Sequence, residues 1–171
     1  MEKINKLKKK FKELNLDGYL IPKNDEFFNE YVPLQQDDLQ YITNFSGSYG
    51  LALILKKSNF LFVDGRYTIQ ASIESGKNFK ILSYPLLINK NNSKFKNKKI
   101  GYDPKLFNEK FLKKFSNKLG IECVAINNNL VKFIKKKKTY LKKKKNFYVL
   151  DDAVTGKSCL GKIKNLKKYF F

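Results

Sequence analysis

Histidine is absent from the chain, so a transition-metal site that needs imidazole cannot be completed within it. Cysteine occurs only as Cys123 and Cys159, isolated from each other and without metal-ligand spacing. They read as ordinary thiols of a reducing compartment, with a disulfide the lesser alternative. No apolar run reaches the ~18 residues of a transmembrane helix, and Met1–Leu7 lacks the continuous apolar stretch of a signal peptide. These absences predict a soluble cytoplasmic protein with no membrane partner. Arginine is nearly missing too: of 36 Lys+Arg, Arg66 is the one arginine, leaving 35 lysines against 15 Asp+Glu and a net charge of +21. Proteins that read nucleic acid usually include arginine, because its planar fork grips phosphate and guanine, so no specific nucleic-acid partner is expected. Lysine here travels with asparagine, isoleucine and phenylalanine, which share A/T-rich codons. Base bias accounts for the charge without selection, although use of the basic surface on a polyanion stays open.

What the chain does have is apolar material: 42% hydrophobic and 15% aromatic residues are enough for a real core and argue against wholesale disorder. The centre of the pattern is a hairpin. Leu51–Leu55 and Phe60–Val63 are apolar runs separated by the polar turn Lys56–Asn59, entered through Ser46-Gly47-Ser48 and left through Asp64-Gly65-Arg66-Tyr67. Before it, Ile4, Leu7, Phe11 and Leu14 make one stripe of an amphipathic helix, Tyr19–Ile21 reads as a short strand, and Asp37 is placed to cap a helix through Leu39 and Ile42. After it, Gly65–Ser75 reads as a helix, although its alternation also suits a strand, and Phe79–Leu82 as another strand. Asn89–Lys99 is polar and predicts a surface connection. Lys99–Tyr102 predicts a strand, Phe107, Phe111, Phe115 and Leu119 a helix ended by Gly120, and Ile121–Ile126 a last strand. Alternating strands and helices predict an α/β domain: a mixed β-sheet flanked by helices.

We place this domain at residues 1–128. Residues 129–148, with the block Lys135–Lys145, read as a lysine-rich linker, since like charges repel and favour exposure. Residues 149–171 read as the start of a following domain. Their stripe Leu160, Ile163, Leu166 and Phe170 needs a partner, and the sequence reads as cut off there.

Two groups invite chemistry. Asp25, Glu26 and Glu30 could supply oxygens to a hard cation, but a solvated loop with caps explains them equally simply and is favoured. Arg66, retained in a chain that otherwise uses lysine, suggests a geometric need. Its fork either pairs with a carboxylate or caps carbonyls at the Asp64-Gly65 corner, the preferred reading, or faces an anionic group or a partner subunit.

Gly18-Tyr-Leu-Ile-Pro22, Asp25-Glu26 with Glu30-Tyr-Val-Pro33, Phe45-Ser-Gly-Ser48 with Gly50, and Asp64-Gly-Arg-Tyr67 resemble, in order and spacing, the N-terminal domain of aminopeptidase P, the Xaa-Pro aminopeptidases of the creatinase and prolidase superfamily. The resemblance continues more weakly through Ile100–Pro104, Asn129-Leu130-Val131 and Ala153–Ser158 with Lys162. There are departures: Asn44 stands where the family usually has glycine, Tyr49 where it has a small residue, and Lys135 and Lys138-Thr139 where a tryptophan and an Arg-Pro pair commonly follow. The resemblance implies a creatinase N-terminal-domain fold, ribonuclease H-like in arrangement. It also implies a parent metallopeptidase that removes the residue before proline with two divalent ions, often manganese, held in a separate C-terminal domain. This chain would then hold no cofactor or catalytic residue and be inactive alone. It would contribute subunit contacts within a homo-oligomer and gate proline-containing peptides. By position, Phe45, Ser46, Gly47, Ser48 and Tyr49 would form the gating loop, with Arg66 beside it. The alternatives are a stand-alone module using its basic surface on a polyanion, or a regulatory relative that pairs with an active peptidase subunit.

Overall fold

The structure is a computed structural model, and it describes residues 1–83, 95–135 and 148–170. The chain divides into two compact units, Met1–Lys136 and Lys137–Phe171.

The first unit is built on a six-stranded sheet. The order of elements is α1 (Glu2–Glu13), β1 (Gly18–Pro22), α2 (Asp38–Thr43), β2 (Gly50–Leu55), β3 (Asn59–Val63), α3 (Thr68–Ser75), β4 (Lys80–Ser83), β5 (Lys99–Tyr102), α4 (Glu109–Leu119), β6 (Glu122–Ala125) and α5 (Leu130–Ile134). Single 3₁₀ turns at Gly65–Tyr67 and Pro104–Leu106 precede α3 and α4. Across the sheet the strands run β4-β3-β2-β1-β5-β6. β1, β2 and β3 pair antiparallel, while β3–β4, β1–β5 and β5–β6 pair parallel. This is the mixed, helix-covered α/β sheet that the alternating pattern predicts.

The hairpin lies in the middle of it, and its side chains alternate between two cores because successive residues of a strand point to opposite faces. Tyr19, Ile21, Ala52, Ile54, Leu61 and Val63 join Ile4, Leu7 and Phe11 of α1, Leu39 and Ile42 of α2, Ala71 of α3, and Leu130 and Val131 of α5. Leu20, Leu51, Leu53, Phe60, Phe62 and Ile100 join Leu112, Phe115 and Leu119 of α4. Burial on both faces explains why β2 reads as an unbroken apolar run, Gly50–Leu55, with every residue buried. The second core is aromatic: Phe107, Phe111 and Phe115 stack in succession, with centroids 5.9 and 5.5 Å apart, and Phe62 meets Phe115 edge-on at 6.5 Å.

Local chemistry sets the element ends. Asp37 caps α2 by accepting from the Gln40 amide, and Asn108 caps α4 by accepting from the Phe111 amide. Gly120 closes α4 at φ 63°, in the left-handed region that a Cβ disfavours. Phe107 falls just before the α4 cap, so the aromatic row begins ahead of the helix. The segment Gly65–Ser75 resolves as helix: Ala71 and Ser75 face inward while Ile69 and Ile73 face solvent.

The end of the first unit and the place of Phe95 differ from the sequence reading. The first unit extends to Lys136, so residues 129–136, assigned above to the linker, belong to it. The reason is that α5 buries Leu130 and Val131 in the first core. The rest of that linker, through 147, and most of the expected surface connection, through 94, lie outside the described residues. Phe95, within that connection, is no surface residue. It is buried edge-on against Phe60 at 5.1 Å.

In the second unit, α6 (Asp152–Thr155) ends at Gly156, which takes φ 76°, and α7 (Cys159–Lys167) carries Leu160, Ile163 and Leu166 at helical spacing. Leu160, Ile163, Leu166 and Phe170 are exposed. Among the described residues no helix is long and apolar enough to cross a membrane.

Candidate functional site

The Phe45–Tyr49 loop leaves α2 through Asn44, whose left-handed conformation (φ 65°) ends the helix and turns the chain toward β2. Asparagine tolerates this region better than most residues, which accounts for a non-glycine residue here. Phe45 is fully buried and is the loop's anchor. Its amide donates to Thr43 Oγ1 (3.0 Å), which itself donates to the Leu39 carbonyl (2.8 Å). The Thr43 carbonyl accepts from Ser75 Oγ (2.8 Å), which ties the end of α2 to the end of α3.

The next residues are held from α3. Glu74 accepts from the Ser46 amide (2.7 Å) and the Ser46 hydroxyl (2.8 Å), and Gln70 donates to both Ser46 Oγ (2.8 Å) and Glu74 Oε1 (3.1 Å). Partial burial works to raise the Glu74 carboxyl, but the hydrogen bonds from Ser46 and Gln70 outweigh it and hold its pKa below the ordinary value. Gly47 passes so close to the edge of the Phe45 ring that a Cβ would overlap it, with Tyr67 Cδ1 3.0 Å away on another side. Tyr67 stands edge-on to Phe45 (5.8 Å, 78°) and shares a hydrogen bond with Ser48 (2.9 Å). Phe45 to Ser48 are thus fixed by α2, α3 and Tyr67, and Tyr49 is half-exposed at the far end (50%).

Tyr49 opens onto a groove of about 360 Å³ with Phe28, Glu30, Phe107 and Phe111 around it and the ends of β1 and β2 as its floor. The opposite wall is the acidic loop. Asp25 Oδ1 accepts from the amides of Phe27 (3.0 Å) and Asn29 (3.1 Å), and Oδ2 accepts from Asn29 Nδ2 (2.9 Å). Led by the Asn29 side chain, these bonds hold the Asp25 carboxyl below its usual range. The carboxylate is therefore engaged in building its own turn, which forces Phe28 to φ 57° and leaves Phe27, Phe28 and Tyr31 exposed. Glu26 lies 3.9 Å from Lys105 Nζ. Asp25, Glu26 and Glu30 do not converge, and among the described residues no group of three His, Cys, Asp or Glu is arranged to hold a metal. The donor set does not fit the two-metal centre that the resemblance implies for a parent enzyme.

Arg66 takes the carboxylate-pairing geometry. Its Nε and Nη2 meet Asp64 Oδ1 and Oδ2 at 3.0 and 3.2 Å, and Asp64 Oδ1 also accepts the Arg66 amide at 2.9 Å. The guanidinium holds the Asp64 carboxyl below its usual range, and the pair is largely solvent-exposed. Tyr67 connects this corner to the loop: the Arg66 guanidinium lies 5.4 Å from its ring centroid. Tyr67 closes the Asp64-Gly-Arg-Tyr67 motif quoted above, whereas Gln70 and Glu74 are not singled out by the sequence; their signal is an amide and a carboxylate four residues apart on α3.

A buried polar array was missed as well. Asn129 Nδ2 donates to Asp38 Oδ2 (2.8 Å) and to Asp103 Oδ2 (2.9 Å), while Asn129 Oδ1 accepts from the amides of Val131 (2.9 Å) and Lys132 (3.1 Å). Asp38 Oδ1 accepts from Lys135 Nζ (2.6 Å), and Lys23 pairs with Asp37. Both carboxylates and the amide are buried, so each needs these partners. The Asp103 and Asn129 blocks that carry the weaker part of the resemblance thus meet in space.

A mixed sheet with these crossovers and one tethered loop beside an aromatic groove defines a small α/β domain. Comparison with known proteins gives its family. Residues 3–133 match the creatinase/prolidase N-terminal domain model, and the chain belongs to that family. It is 28% identical over 176 residues to "Probable Xaa-Pro aminopeptidase P" of Colletotrichum graminicola and 27% identical over 187 residues to "Xaa-Pro aminopeptidase 1" of Dictyostelium discoideum. These alignments cover 97% and 98% of this chain but 28% and 29% of those proteins. The chain therefore spans less than a third of the curated relatives it matches. In fold it is similar to an X-prolyl aminopeptidase from Caenorhabditis elegans, described as a cytosolic enzyme with a di-nuclear active site (TM-score 0.72, 24% identity, 98% of this chain and 30% of that one). It is also similar to the N-terminal domain of a cytoplasmic peptidase, PepQ, from Mycobacterium tuberculosis (TM-score 0.59, 20% identity, 78% of this chain and 98% of that one).

Proposed function

We propose that this chain is the non-catalytic N-terminal domain of a cytoplasmic Xaa-Pro aminopeptidase, and that it contributes assembly and substrate gating while a dinuclear metal site, with manganese the expected ion, lies in a domain outside this sequence. The observation that carries the reading is the family match over residues 3–133, with the tethered Phe45–Tyr49 loop as the feature that suits gating. The loop's backbone is fixed while Tyr49 is held half-exposed at the groove mouth, which suits a surface that shapes the approach of a peptide. Subunit contact in a homo-oligomer through the same loop is part of the proposal. Arg66 enters as a support of the corner, through Asp64 and Tyr67.

The experiment is a Tyr49→Ala variant in the peptidase assembled from this domain and its metal domain. A severalfold rise in KM for proline-containing peptides, with kcat and melting temperature unchanged, is expected. Unchanged kinetics would remove the gating role. Arg66→Lys is the companion test: unchanged activity fits a support, whereas lost activity at unchanged melting temperature would assign Arg66 a direct role at the substrate or subunit boundary.

A further inference from the structure

We propose that residues 129–135 are a latch that clips the chain's exit from the first unit onto α2 and, through α2, sets the rigidity of the Phe45–Tyr49 loop. This inference rests on the gating reading of that loop for its functional meaning, but the coupling itself is a property of the first unit alone.

The latch has two bolts. Asn129 uses both amide hydrogens on buried carboxylates, one on Asp38 at the start of α2 and one on Asp103 at the end of β5, and uses its oxygen to start α5. Lys135, the next residue after α5, reaches back to the same carboxylate, donating to Asp38 Oδ1 (2.6 Å). It also donates to the Gln35 carbonyl (3.3 Å), and its ammonium lies 5.1 Å from the Tyr41 ring centroid. Its side chain is 17% exposed and that of Asp38 3%. Among the described residues, only Lys135 and Lys23 of the lysines form ion pairs with carboxylates buried to this degree, and both grip the first turn or cap of α2. Among the described residues, most other lysines are exposed. Lys135 is placed.

The reason this matters to the loop is the length of α2. A helix of six residues, Asp38–Thr43, is far below the length at which a helix sustains itself, so it exists only because its ends are held. Lys23 and the latch hold its beginning; Thr43 and Ser75 hold its end. Thr43 is also the residue that receives the Phe45 amide. Release of the beginning therefore loosens a short unit whose other end carries the loop, the kind of local opening that hydrogen exchange resolves. Where the chain leaves the first unit is in this way linked to how firmly the loop is presented.

The test is amide hydrogen exchange on the 171-residue chain carrying Lys135→Met, a change that keeps the apolar stem over Tyr41 and removes the charge. Exchange at Phe45 and Ser46 should speed up tenfold or more, together with α2, while β1, β2 and β3 keep wild-type protection. Asp38→Asn should give the same pattern by removing the shared acceptor charge. Faster exchange confined to residues 130–135 would overturn the coupling, as would a uniform loss of protection across the sheet. Peptidase measurements do not enter this test, so failure of the latch and failure of the gating reading are separately visible.

Discussion

The two loops that flank the groove are rigid for opposite reasons. The 25–30 loop is self-contained: one carboxylate, Asp25, collects two amides and a side chain from the next four residues. The 45–49 loop is held from outside, by Glu74 and Gln70 of α3, by Tyr67, and by Thr43 at the end of α2. A self-contained turn depends on its own sequence and little else. A loop held from outside inherits the state of the elements that hold it, so its position can be altered from a distance. That difference is what makes the second loop the better candidate for a surface whose setting matters.

The strongest way to break the comparison is Gly47→Val. The new side chain would overlap the Phe45 ring and press on Tyr67, and overpacking of this kind costs about 1–3 kcal/mol. A melting temperature lower by several degrees is expected, with exchange accelerated at residues 45–49 and not at 25–29. Next in size is Asp25→Ala, which removes all three acceptor contacts of the self-contained turn. It should speed exchange at Phe27 and Asn29 and leave Ser46 protected. Equal loosening of both loops in either variant would show that they form one unit and would dissolve the contrast.

Acid sharpens it. Glu74 has its pKa held below the ordinary 4.5 by the Ser46 and Gln70 hydrogen bonds, so its tether is at full strength above that value and is lost as pH falls through the depressed folded-state pKa. The Ser46 amide should therefore lose protection on acidification below about pH 4.5, and Glu74→Gln should remove that pH dependence. The smallest effect is reserved for Arg66→Lys. The Asp64 pair is mostly solvated, and exposed pairs add little stability. The melting temperature should stay within a degree of wild type, measured by thermal circular dichroism.

Much of the fold was legible because its signals are local. The stripe Ile4, Leu7, Phe11 and the row Phe111, Phe115, Leu119 mark helix faces, and the runs around Lys56–Asn59 mark the hairpin. What stayed hidden depends on sequence-distant partners. Asn129 is 91 positions from Asp38, and nothing in either neighbourhood announces that they share a hydrogen bond. The Asn127–Asn129 run reads as a break, and the lysines after it read as linker, yet one lysine of that block is placed on a buried carboxylate. Phe95 is hidden for a related reason: it sits inside the polar stretch Asn89–Lys99, and only the position of Phe60 makes it core. Of the candidate site, Phe45–Tyr49 stand out by resemblance, Arg66 as the one arginine, and Tyr67 within its motif, but Glu74 and Gln70, which hold Ser46, appear only in the geometry. The acidic loop's carboxylates could not be assigned from sequence, since Asp25 in a turn and Asp25 in a metal site look alike until its acceptors are counted.

The role proposed for this chain is to present a surface, with no peptidase chemistry of its own. It is tested most directly by incubating the pure 171-residue protein with proline-containing peptides, with and without added manganese, and following release of the N-terminal residue. No release above the protein-free control is predicted under either condition. Metal-dependent turnover that co-purifies with the chain and disappears on chelation would contradict it.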